Sequence, residues 1–368
     1  MPEIVAAVAR HSGAPLELES LFLEEPRAGQ VRVRLVATGI CHADVIARDQ
    51  IYPVPLPAVL GHEGAGIVEA VGHSSSTLQV GDHVVLGFNY CQHCETCLAG
   101  FPGNCIHTAQ YNFGALRPDG SSPLSDGHGA IAGSFFGQSS FATHTNVSEH
   151  LAVKVPKDLA LDVLAPLGCG VMTGVGTVFN VLRPKPGSTI AIFGAGGVGL
   201  SALLAARLSG CSAMILIDVL KSRLAKSLAL GASHAVDGSG ANAVELIREI
   251  TQGRGVDFAI DAVGKPEVFR AMLDSLTVRG HGALVGAPIP GQEVSLDLSQ
   301  SLGAGRRVSM VLEGDAHPQL LIPQMAALMS SGALPVDKLI TRYPFGEINR
   351  ALADSLSGDA VKPVLIFP

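Results

Sequence analysis

Two patterns of apolar and polar residues divide the chain. In its first part, short β-like runs alternate with glycine and proline turns, as in QVRVRLVATGI (30–40), GAGIVEAVG (64–72) and GDHVVLGF (81–88). Apolar runs bounded by turn residues are typical of strands. This part is therefore expected to form a strand-rich, partly barrel-like domain. The stretch from about 101 to 140 is polar and glycine-rich, which predicts a long loop lobe.

The pattern changes in the second part, where strand-like and helix-like segments alternate. STIAIFGAGGVGLSALLAARLSG predicts a buried strand, a glycine turn and a helix, and the later segments are AMILID (strand), SRLAKSLALG (helix), VDFAIDAVG (strand), VFRAMLDSLTVRG (helix) and GALVGA (strand). This alternation indicates βαβ units with a parallel sheet. After about residue 312 the pattern is mixed again and ends in the strand-like KPVLIFP, which is expected to rejoin the first domain.

Composition and charge narrow the class of protein. The 368 residues suggest two domains, and 47% hydrophobic with 15% charged residues allow a sizeable buried core. The net charge is −7 and no basic run occurs, so nucleic-acid binding is not expected. No signal peptide is apparent at the N-terminus, and no uninterrupted apolar stretch of membrane-spanning length occurs. We therefore expect a cytoplasmic protein that does not bind a membrane.

A glycine turn indicates dinucleotide binding. Gly194, Gly196 and Gly199 have G-x-G-x-x-G spacing after an apolar strand and before a helix. Such glycines permit a tight turn, backbone approach to a pyrophosphate and helix–strand packing. Asp218 ends the next strand, where a carboxylate can accept hydrogen bonds from the adenosine ribose and would repel a 2′-phosphate. NAD is therefore favoured, although Arg223 leaves NADP open.

Four of the seven cysteines predict a structural zinc site. Cys91, Cys94, Cys97 and Cys105 have C-x2-C-x2-C-x7-C spacing, and four thiolates can close a tetrahedron around zinc with no open position. Four unrelated thiols and an iron–sulfur cluster are the alternatives; the dinucleotide motif disfavours the cluster. His93 lies within this loop and is expected at the surface.

Three further residues are candidates for a second zinc. Cys41, His62 and Cys169 are far apart in sequence, and His62 stands beside Glu63 in GHEGAG. Two thiolates and an imidazole with a fourth position open suit a catalytic zinc. Spacing alone does not distinguish this trio from buried structural cysteines and a hydrogen-bonded histidine; the nucleotide-binding motif favours the metal.

Together these motifs resemble the zinc-dependent medium-chain alcohol dehydrogenases over essentially the whole chain. RDQIYPVPLPAVLGHEGAG and FFGQSSFATH look most similar to aryl-alcohol, benzyl-alcohol and geraniol-type members. The resemblance implies a GroES-like catalytic domain (1–171 and 312–368) and a doubly wound Rossmann NAD-binding domain (172–311). It also implies an active site in the cleft between them, with two zinc ions per chain and a homodimer or homotetramer.

The resemblance also implies roles for individual residues. It assigns Cys41, His62 and Cys169 to the catalytic zinc, Glu63 to a carboxylate that can approach the metal, and Asp44 to the orientation of His62. The cofactor-binding set that it implies is His42, Thr173, Gly194, Gly196, Gly197, Val198, Gly199, Asp218, Arg223, Val263 and Lys362, with His42 and Lys362 near the phosphates and Thr173 near the nicotinamide. Phe88, Phe135 and Phe136 are expected to line the substrate pocket, with plain core packing as the alternative for each.

One departure from the family pattern concerns the proton. Related enzymes carry a Ser or Thr hydroxyl two residues after the first zinc cysteine, and this chain has Ala43 there. Members that extend the relay place a histidine at the position of Ile46. Three interpretations remain open: a slow or water-relayed alcohol dehydrogenase, a reductase of enals or iminium ions that does not need this relay, or an introduced change in an ordinary enzyme.

The sequence therefore predicts NAD-linked oxidation of primary aromatic or allylic, terpenoid alcohols to aldehydes, and the reverse reduction. A different class also stays open, namely an impaired protein that binds NAD and zinc without turnover. Cys211 has no assigned role and is expected to be a buried thiol at a helix end.

Overall fold

The structure is a computed structural model that describes residues 1–72, 77–240 and 242–368. Contacts between residues divide these into two units. The first unit comprises Met1–Cys169, His317–Gly332 and Val336–Pro368, and the second comprises Gly170–Ala316 and Ala333–Pro335. The sequence prediction placed 170–171, 312–316 and 333–335 in the first domain, whereas their contacts place them in the second unit.

Strands and α-helices alternate regularly between residues 189 and 310, and strands predominate before that segment. The strands are β1 (Glu3–Ala9), β2 (Glu17–Leu23), β3 (Gln30–Gly39), β4 (Ala58–Val59), β5 (Glu63–Val71), β6 (His83–Leu86), β7 (Leu124–Ser125), β8 (Ala130–Ile131), β9 (His144–Ser148), β10 (Ala152–Lys154), β11 (Thr189–Phe193), β12 (Ala213–Asp218), β13 (His234–Asp237), β14 (Val256–Asp261), β15 (Leu276–Leu284), β16 (Arg307–Met310), β17 (Ile340–Pro344) and β18 (Lys362–Ile366). The α-helices are α1 (His42–Arg48), α2 (Glu95–Leu98), α3 (Thr108–Phe113), α4 (Leu161–Leu164), α5 (Gly170–Gly176), α6 (Gly197–Leu208), α7 (Lys221–Ala229), α8 (Ala243–Ile250), α9 (Pro266–Ser275), α10 (Leu298–Ala304), α11 (Pro318–Ser330) and α12 (Ile348–Ser357).

The first unit is built on two sheets. One has the strand order β4-β1-β2-β7-β8, and the other has the order β10-β6-β5-β3-β18-β17 with β9 also paired to β3. Most of these pairs are antiparallel, and β3 with β5 forms the longest one. β18, the last strand of the chain, pairs with β3, so the C-terminal segment returns to the first unit.

The stretch 101–140 is more ordered than its polar composition predicts. It contains α3 and the short strands β7 and β8, and β7 extends the first sheet by pairing with β2. Phe113 ends α3, and Phe135 begins a 3-10 turn over Phe135–Gly137. The prediction of a long loop was wrong in this respect because these aromatic residues and short strands join the core.

The second unit contains a six-stranded parallel sheet with the order β13-β12-β11-β14-β15-β16. Its strands are rich in buried aliphatic residues, such as Ile215 and Ile217 in β12 and Ala259 in β14, as expected for a sheet covered on both faces. The order reverses between β11 and β14, which is where doubly wound folds bind nucleotides, at the carboxyl ends of the strands.

One predicted element boundary was wrong. The helix predicted over 268–280 ends at Ser275, and Leu276 begins β15, which pairs with β14. Thr277 and Val278 are β-branched and favour a strand, while the apolar spacing of LDSLTV fits both elements.

Among the described residues, no single helix is long and apolar enough to cross a membrane. The consecutive stretches Leu161–Gly168 and Gly170–Leu182 pass that test only as a bent pair, by length and composition.

Candidate active site

The pairing of β3 with β5 brings Cys41 and His62 together. In this antiparallel register Gly39, at the end of β3, lies opposite Glu63, at the start of β5. Cys41 follows two residues after Gly39, and His62 directly precedes Glu63, so both side chains emerge at the same end of the strand pair. A Cβ on Gly39 would overlap the Oε2 atom of Glu63, which explains a glycine at this position.

Cys169 completes a group of three donors. It follows the 3-10 turn Ala165–Gly168 and is buried. That turn packs so closely on β6 that a Cβ on Gly168 would overlap the carbonyl oxygen of Leu86. One donor atom from each of Cys41, His62 and Cys169 lies within 4.8 Å of the other two.

Asp44 organises the backbone and the imidazole of this group. Its Oδ2 atom accepts a hydrogen bond from the amide of Cys41 at 2.9 Å, and Oδ1 accepts from the amide of Gly61 at 3.1 Å. The same Oδ1 atom lies 2.9 Å from Nδ1 of His62. Asp44 is buried, and a buried carboxylate in this position fixes the proton on Nδ1. The second ring nitrogen, Nε2, thereby keeps a free lone pair with which it can bind a metal.

The three residues fit a zinc ion. Nε2 of His62 is buried and has no hydrogen-bond partner among the described residues, and a buried lone pair left in this way suits a metal ion. Contact with Cys169 and then His62 holds the pKa of the Cys41 thiol well below its ordinary value, which favours the thiolate form that binds metals. Two sulfurs and one nitrogen leave a fourth tetrahedral position for another ligand.

Lys362 also lies beside this group, because the last strand of the chain pairs with β3. β18 is antiparallel to β3 with Val364 opposite Gly39, which sets Lys362 opposite Cys41. The Nζ atom donates to Oε1 and Oε2 of Glu63 at 2.8 and 3.0 Å and to the carbonyl of Ile40 at 3.1 Å. The strand pairing thus brings the amine to Glu63, a contact that the sequence did not predict; its predicted place near the cofactor phosphates stays a prediction.

Aromatic rings surround the imidazole of His62. The ring of Phe136 stacks on it with centroids 4.3 Å apart, and Phe135 meets it edge-on at 5.6 Å. Phe136 has φ 50°, a left-handed conformation that is uncommon for a bulky residue and often marks a functional site. Phe113 contacts both phenylalanine rings, and Tyr52 contacts Phe113 at 5.4 Å.

Sequence reasoning missed Tyr52 and Phe113, although the aromatic residues themselves were visible. Phe88, the third predicted pocket residue, is buried and makes its ring contact with Tyr90 at 5.9 Å.

Gln138 was also missed: its amide donates to the carbonyl oxygens of His62 and Gly87 at 2.9 and 3.1 Å. It is fully buried and ties the start of β5 to the end of β6.

The four-cysteine loop forms a separate group. Donor atoms of Cys91, Cys94, Cys97 and Cys105 all lie within 4.8 Å of one another, and all four residues are buried. Backbone amides point at the sulfurs, as from Cys94 to Cys91 at 3.3 Å and from Cys91 to Cys105 at 3.4 Å. Four converging sulfurs with amide donors fit a closed tetrahedral zinc site. His93 is exposed.

The glycine turn of the second unit has the geometry of a phosphate-binding loop. Gly194 has φ +95°, and a Cβ on Gly199 would overlap the carbonyl oxygen of Gly194, so the helix closes tightly on the strand. A Cβ on Gly196 would meet nothing within 4 Å. Gly196 caps α6, which begins at Gly197. Open space beside a helix N-terminus is where a pyrophosphate binds.

Asp218 is tied to this turn. Its Oδ2 atom accepts from the amide of Ala195 at 2.7 Å and Oδ1 accepts from the amide of Leu220 at 2.9 Å. Each carboxylate oxygen keeps further lone pairs for a ribose hydroxyl. The Nη1 atom of Arg223 lies 3.9 Å from Oδ2 of Asp218.

The remaining predicted cofactor residues are distributed over both units. The side chain of Val263 lies against Gly194, and Val198 is in the first turn of α6. Thr173 lies in α5 and its hydroxyl is 3.4 Å from Oε2 of Glu313, a residue that the sequence analysis did not identify. His42 is exposed in the first turn of α1, in the first unit.

Comparisons with known proteins agree with this arrangement. Residues 27–157 match the family model described as alcohol dehydrogenase GroES-like domain, and residues 197–331 match zinc-binding dehydrogenase. A geraniol dehydrogenase from Castellaniella defragrans is 44% identical over 363 residues, covering 98% of this chain and 97% of that protein.

Solved structures are similar over the full length. The benzyl alcohol dehydrogenase of Acinetobacter calcoaceticus superposes with a TM-score of 0.96 at 43% identity, covering 100% of both chains. An alcohol dehydrogenase zinc-binding domain protein from Burkholderia ambifaria gives a TM-score of 0.97 at 47% identity, covering 100% of this chain and 99% of that one.

The fold, the two family models and the similar solved structures define a zinc-binding dehydrogenase with a GroES-like domain and a Rossmann-like domain. The chain belongs to the zinc-dependent medium-chain alcohol dehydrogenases.

Proposed function

We propose that this alcohol dehydrogenase oxidises primary aromatic and allylic, terpenoid alcohols to aldehydes with NAD⁺, and catalyses the reverse reduction. The observation that carries this proposal is the aromatic environment of the metal-binding imidazole: Phe136 stacks on His62 at 4.3 Å, and Phe135, which is fully buried, lies at 5.6 Å. Aromatic and allylic groups pack favourably on such rings. The relatives named for geraniol and benzyl alcohol support the same substrate class.

Cys41, His62 and Cys169 would hold the catalytic zinc. Bound there, zinc supplies Lewis acidity toward the alcohol oxygen and lowers the pKa of the hydroxyl. Asp44 keeps the proton of His62 on Nδ1, so Nε2 stays available as a ligand. Lys362 forms an ion pair with the buried carboxylate of Glu63. The positive charge of Lys362 compensates the negative charge of Glu63 beside the two cysteines.

Cys91, Cys94, Cys97 and Cys105 would hold a second, structural zinc. Four sulfurs leave no position for substrate. Two zinc ions per chain are therefore expected.

The second unit would bind NAD in preference to NADP. Bound NAD⁺ supplies the hydride acceptor. The open backbone at Gly196 suits the pyrophosphate, and Asp218 at the end of β12 can accept from the ribose hydroxyls. The carboxylate of Asp218 repels a 2′-phosphate, and Arg223 already faces that carboxylate.

Proton transfer distinguishes this chain from relatives with a complete relay. Ala43 lies in the first turn of α1 and Ile46 one turn later, and neither side chain can hold a proton. Water is then the carrier we propose, at a lower rate than a positioned acid or base gives. The same feature favours a second candidate function, reduction of an enal or iminium ion, in which no proton leaves an alcohol oxygen.

A substrate panel tests the proposal. Initial rates at 340 nm are compared for benzyl alcohol, geraniol and ethanol with NAD⁺ and NADP⁺, and for the matching aldehydes, enals and a cyclic iminium ion with NADH. We expect the highest kcat/KM for benzyl alcohol or geraniol with NAD⁺. Turnover restricted to reduction of enal C=C bonds or iminium ions would support the second candidate instead. Cofactor and zinc binding without turnover on any substrate would contradict both.

The partner that we propose is a second copy of the chain. β16 is the edge strand of the parallel sheet, and Met310 in it and Leu302 in the preceding helix are 65% and 85% exposed. Unpaired strand edges flanked by apolar side chains favour pairing with another chain. Light scattering on the purified protein is expected to give a dimer or tetramer; a monomer at micromolar concentration would contradict this.

A further inference from the structure

Glu313 lies in a strained segment of the second unit. Three consecutive residues, Glu313, Gly314 and Asp315, have left-handed backbone with φ of 52°, 70° and 45°. Only glycine adopts this conformation without cost, and strained residues of this kind cluster at ligand-binding sites. The glutamate side chain is also buried, with 9% of its surface exposed.

Contacts with α5 and with the helical turn that follows it, Thr177–Leu182, hold this segment in place. Gly314 packs so tightly that a Cβ would lie 2.6 Å from the carbonyl oxygen of Met172. The Nδ2 atom of Asn180 donates to the carbonyl oxygens of Gly314 and Asp315 at 3.1 and 3.2 Å. The hydroxyl of Thr173, in α5, donates to Oε2 of Glu313. These contacts fix the backbone around Glu313, and the hydroxyl of Thr173 orients its carboxylate.

α5 in turn lies against the helix that follows the glycine turn. A Cβ on Gly174 would overlap the carbonyl oxygen of Val198 and lie 2.8 Å from the amide nitrogen of Ala202, both in α6. Glu313 also follows shortly after the carboxyl end of β16. It therefore belongs to the nucleotide-binding edge of the sheet.

The sheet order indicates which end of a dinucleotide would lie near Glu313, because the two halves of a doubly wound sheet bind the two halves of the cofactor. Asp218 ends β12 and belongs to the half-sheet β13-β12-β11 that takes the adenosine. Glu313 follows β16 in the other half-sheet, β14-β15-β16, which takes the nicotinamide half. A carboxylate repels phosphate, so it suits a donor group, and the carboxamide of nicotinamide carries two N–H donors.

We propose that the carboxylate of Glu313 accepts a hydrogen bond from the carboxamide –NH₂ of the nicotinamide and thereby positions that end of the cofactor. The proposal rests on the proposed use of NAD and adds a recognition residue to it. A carboxylate offers about four lone-pair sites, so the hydrogen bond that Oε2 accepts from Thr173 is compatible with a further bond from the amide.

The test compares three ligands on the zinc-loaded protein by isothermal titration calorimetry. These are NAD⁺, its 3-acetylpyridine analogue, which replaces –NH₂ by –CH₃, and ADP-ribose, which lacks the nicotinamide. Glu313→Met removes the acceptor at similar length, and Glu313→Gln keeps one neutral acceptor. Asp315→Asn is the matched control, since it changes a neighbouring carboxylate in the same left-handed segment.

We expect Glu313→Met to weaken NAD⁺ by about tenfold or more, because hydrogen bonds to charged groups are the stronger ones, and Glu313→Gln to weaken it less. In both Glu313 variants, the affinities for the acetylpyridine analogue and for ADP-ribose should change by less than about threefold. In Asp315→Asn, the affinities for all three ligands should change by less than about threefold. An equal loss for all three ligands, which indicates a structural role or a ribose contact, would overturn the proposal. No loss for NAD⁺ would also overturn it while leaving the proposed function intact. A wild-type protein that binds neither NAD⁺ nor ADP-ribose would overturn both.

Discussion

The ammonium of Lys362 and the carboxylate of Glu63 form a buried ion pair beside the proposed catalytic metal site. Nζ lies 2.8 Å from Oε1, and the two side chains are 5% and 0% exposed. Burial by itself would lower the pKa of Lys362, but the facing carboxylate raises it above its ordinary value. The amine therefore stays charged, and each ion depends on the other.

Removing one ion of this pair should cost more stability than removing both. We expect Lys362→Met to destabilise the protein by about 3–5 kcal/mol, because Glu63 is left as an uncompensated buried charge. Glu63→Gln combined with Lys362→Met should recover a large part of this loss. Thermal unfolding of the single and double variants measures the loss of stability. If the loss in the double variant equals the sum of the losses in the single variants, the two ions are not coupled.

Restoring a hydroxyl at position 43 should accelerate alcohol oxidation. Ala43→Thr is expected to raise kcat with benzyl alcohol by about tenfold or more, most at low pH, since a positioned acid or base typically contributes about 10²–10⁴-fold. Ala43→Val is the control with the same shape and no hydroxyl. Equal rates for the two variants, or a Thr variant no faster than the wild type, would argue against a missing relay.

Asp44 should set the zinc affinity of the site. We expect Asp44→Asn to weaken zinc binding by about 10–100-fold, as loss of a carboxylate that orients a ligand histidine does. Competition with a chelator measures this. Asp49→Asn, at the end of the same helix and bonded to Arg48, should leave zinc affinity unchanged; a similar loss in both variants would point to a general effect on α1.

The four-cysteine loop should depend on its own zinc. Metal analysis is expected to give two zinc ions per chain in the wild type and one in Cys97→Ser. Because the sulfurs hold α2 and the neighbouring turn together, limited proteolysis should cut the variant near residues 95–105. Two zinc ions in the variant would show that these cysteines do not form the second site.

His150 should make stability fall below neutral pH. Burial lowers the pKa of His150 to about 4, while an unfolded chain keeps the ordinary value of about 6.5. Between these values only the unfolded state binds the proton, so stability decreases as pH falls. His150→Gln should lose less stability than the wild type between pH 7.5 and pH 5.0, by about 2 kcal/mol. The exposed His128 gives the control His128→Gln, which should behave as the wild type; an unchanged pH dependence in His150→Gln would contradict this.

The sequence predicted most of what depends on local spacing. The strand, turn and helix around Gly194 were predictable from the spacing of the glycines after an apolar strand. The structure explains Gly194 by its φ of +95° and Gly199 by the overlap that its Cβ would make with the carbonyl oxygen of Gly194. Spacing alone did not identify Cys41 and His62, which the family resemblance singled out; the pairing of β3 with β5 explains how they come together.

The features that sequence reasoning missed depend on contacts between distant segments. Lys362 reaches Glu63 only because the last strand of the chain pairs with β3, and no local pattern indicates that register. Phe113 joins Phe135 and Phe136 through the packing of α3 on a 3-10 turn. Glu313 stands in a short turn whose left-handed backbone is not encoded by a glycine at that residue.

The central claim is direct transfer of hydride from a primary alcohol carbon to NAD⁺. Zinc-loaded protein is incubated with benzyl alcohol carrying two deuterium atoms at C1, and the products are analysed by mass spectrometry. We predict benzaldehyde with one deuterium and NADH with one deuterium on the nicotinamide ring. Protein that binds two zinc ions and NAD⁺ yet yields no deuterated cofactor would contradict the account.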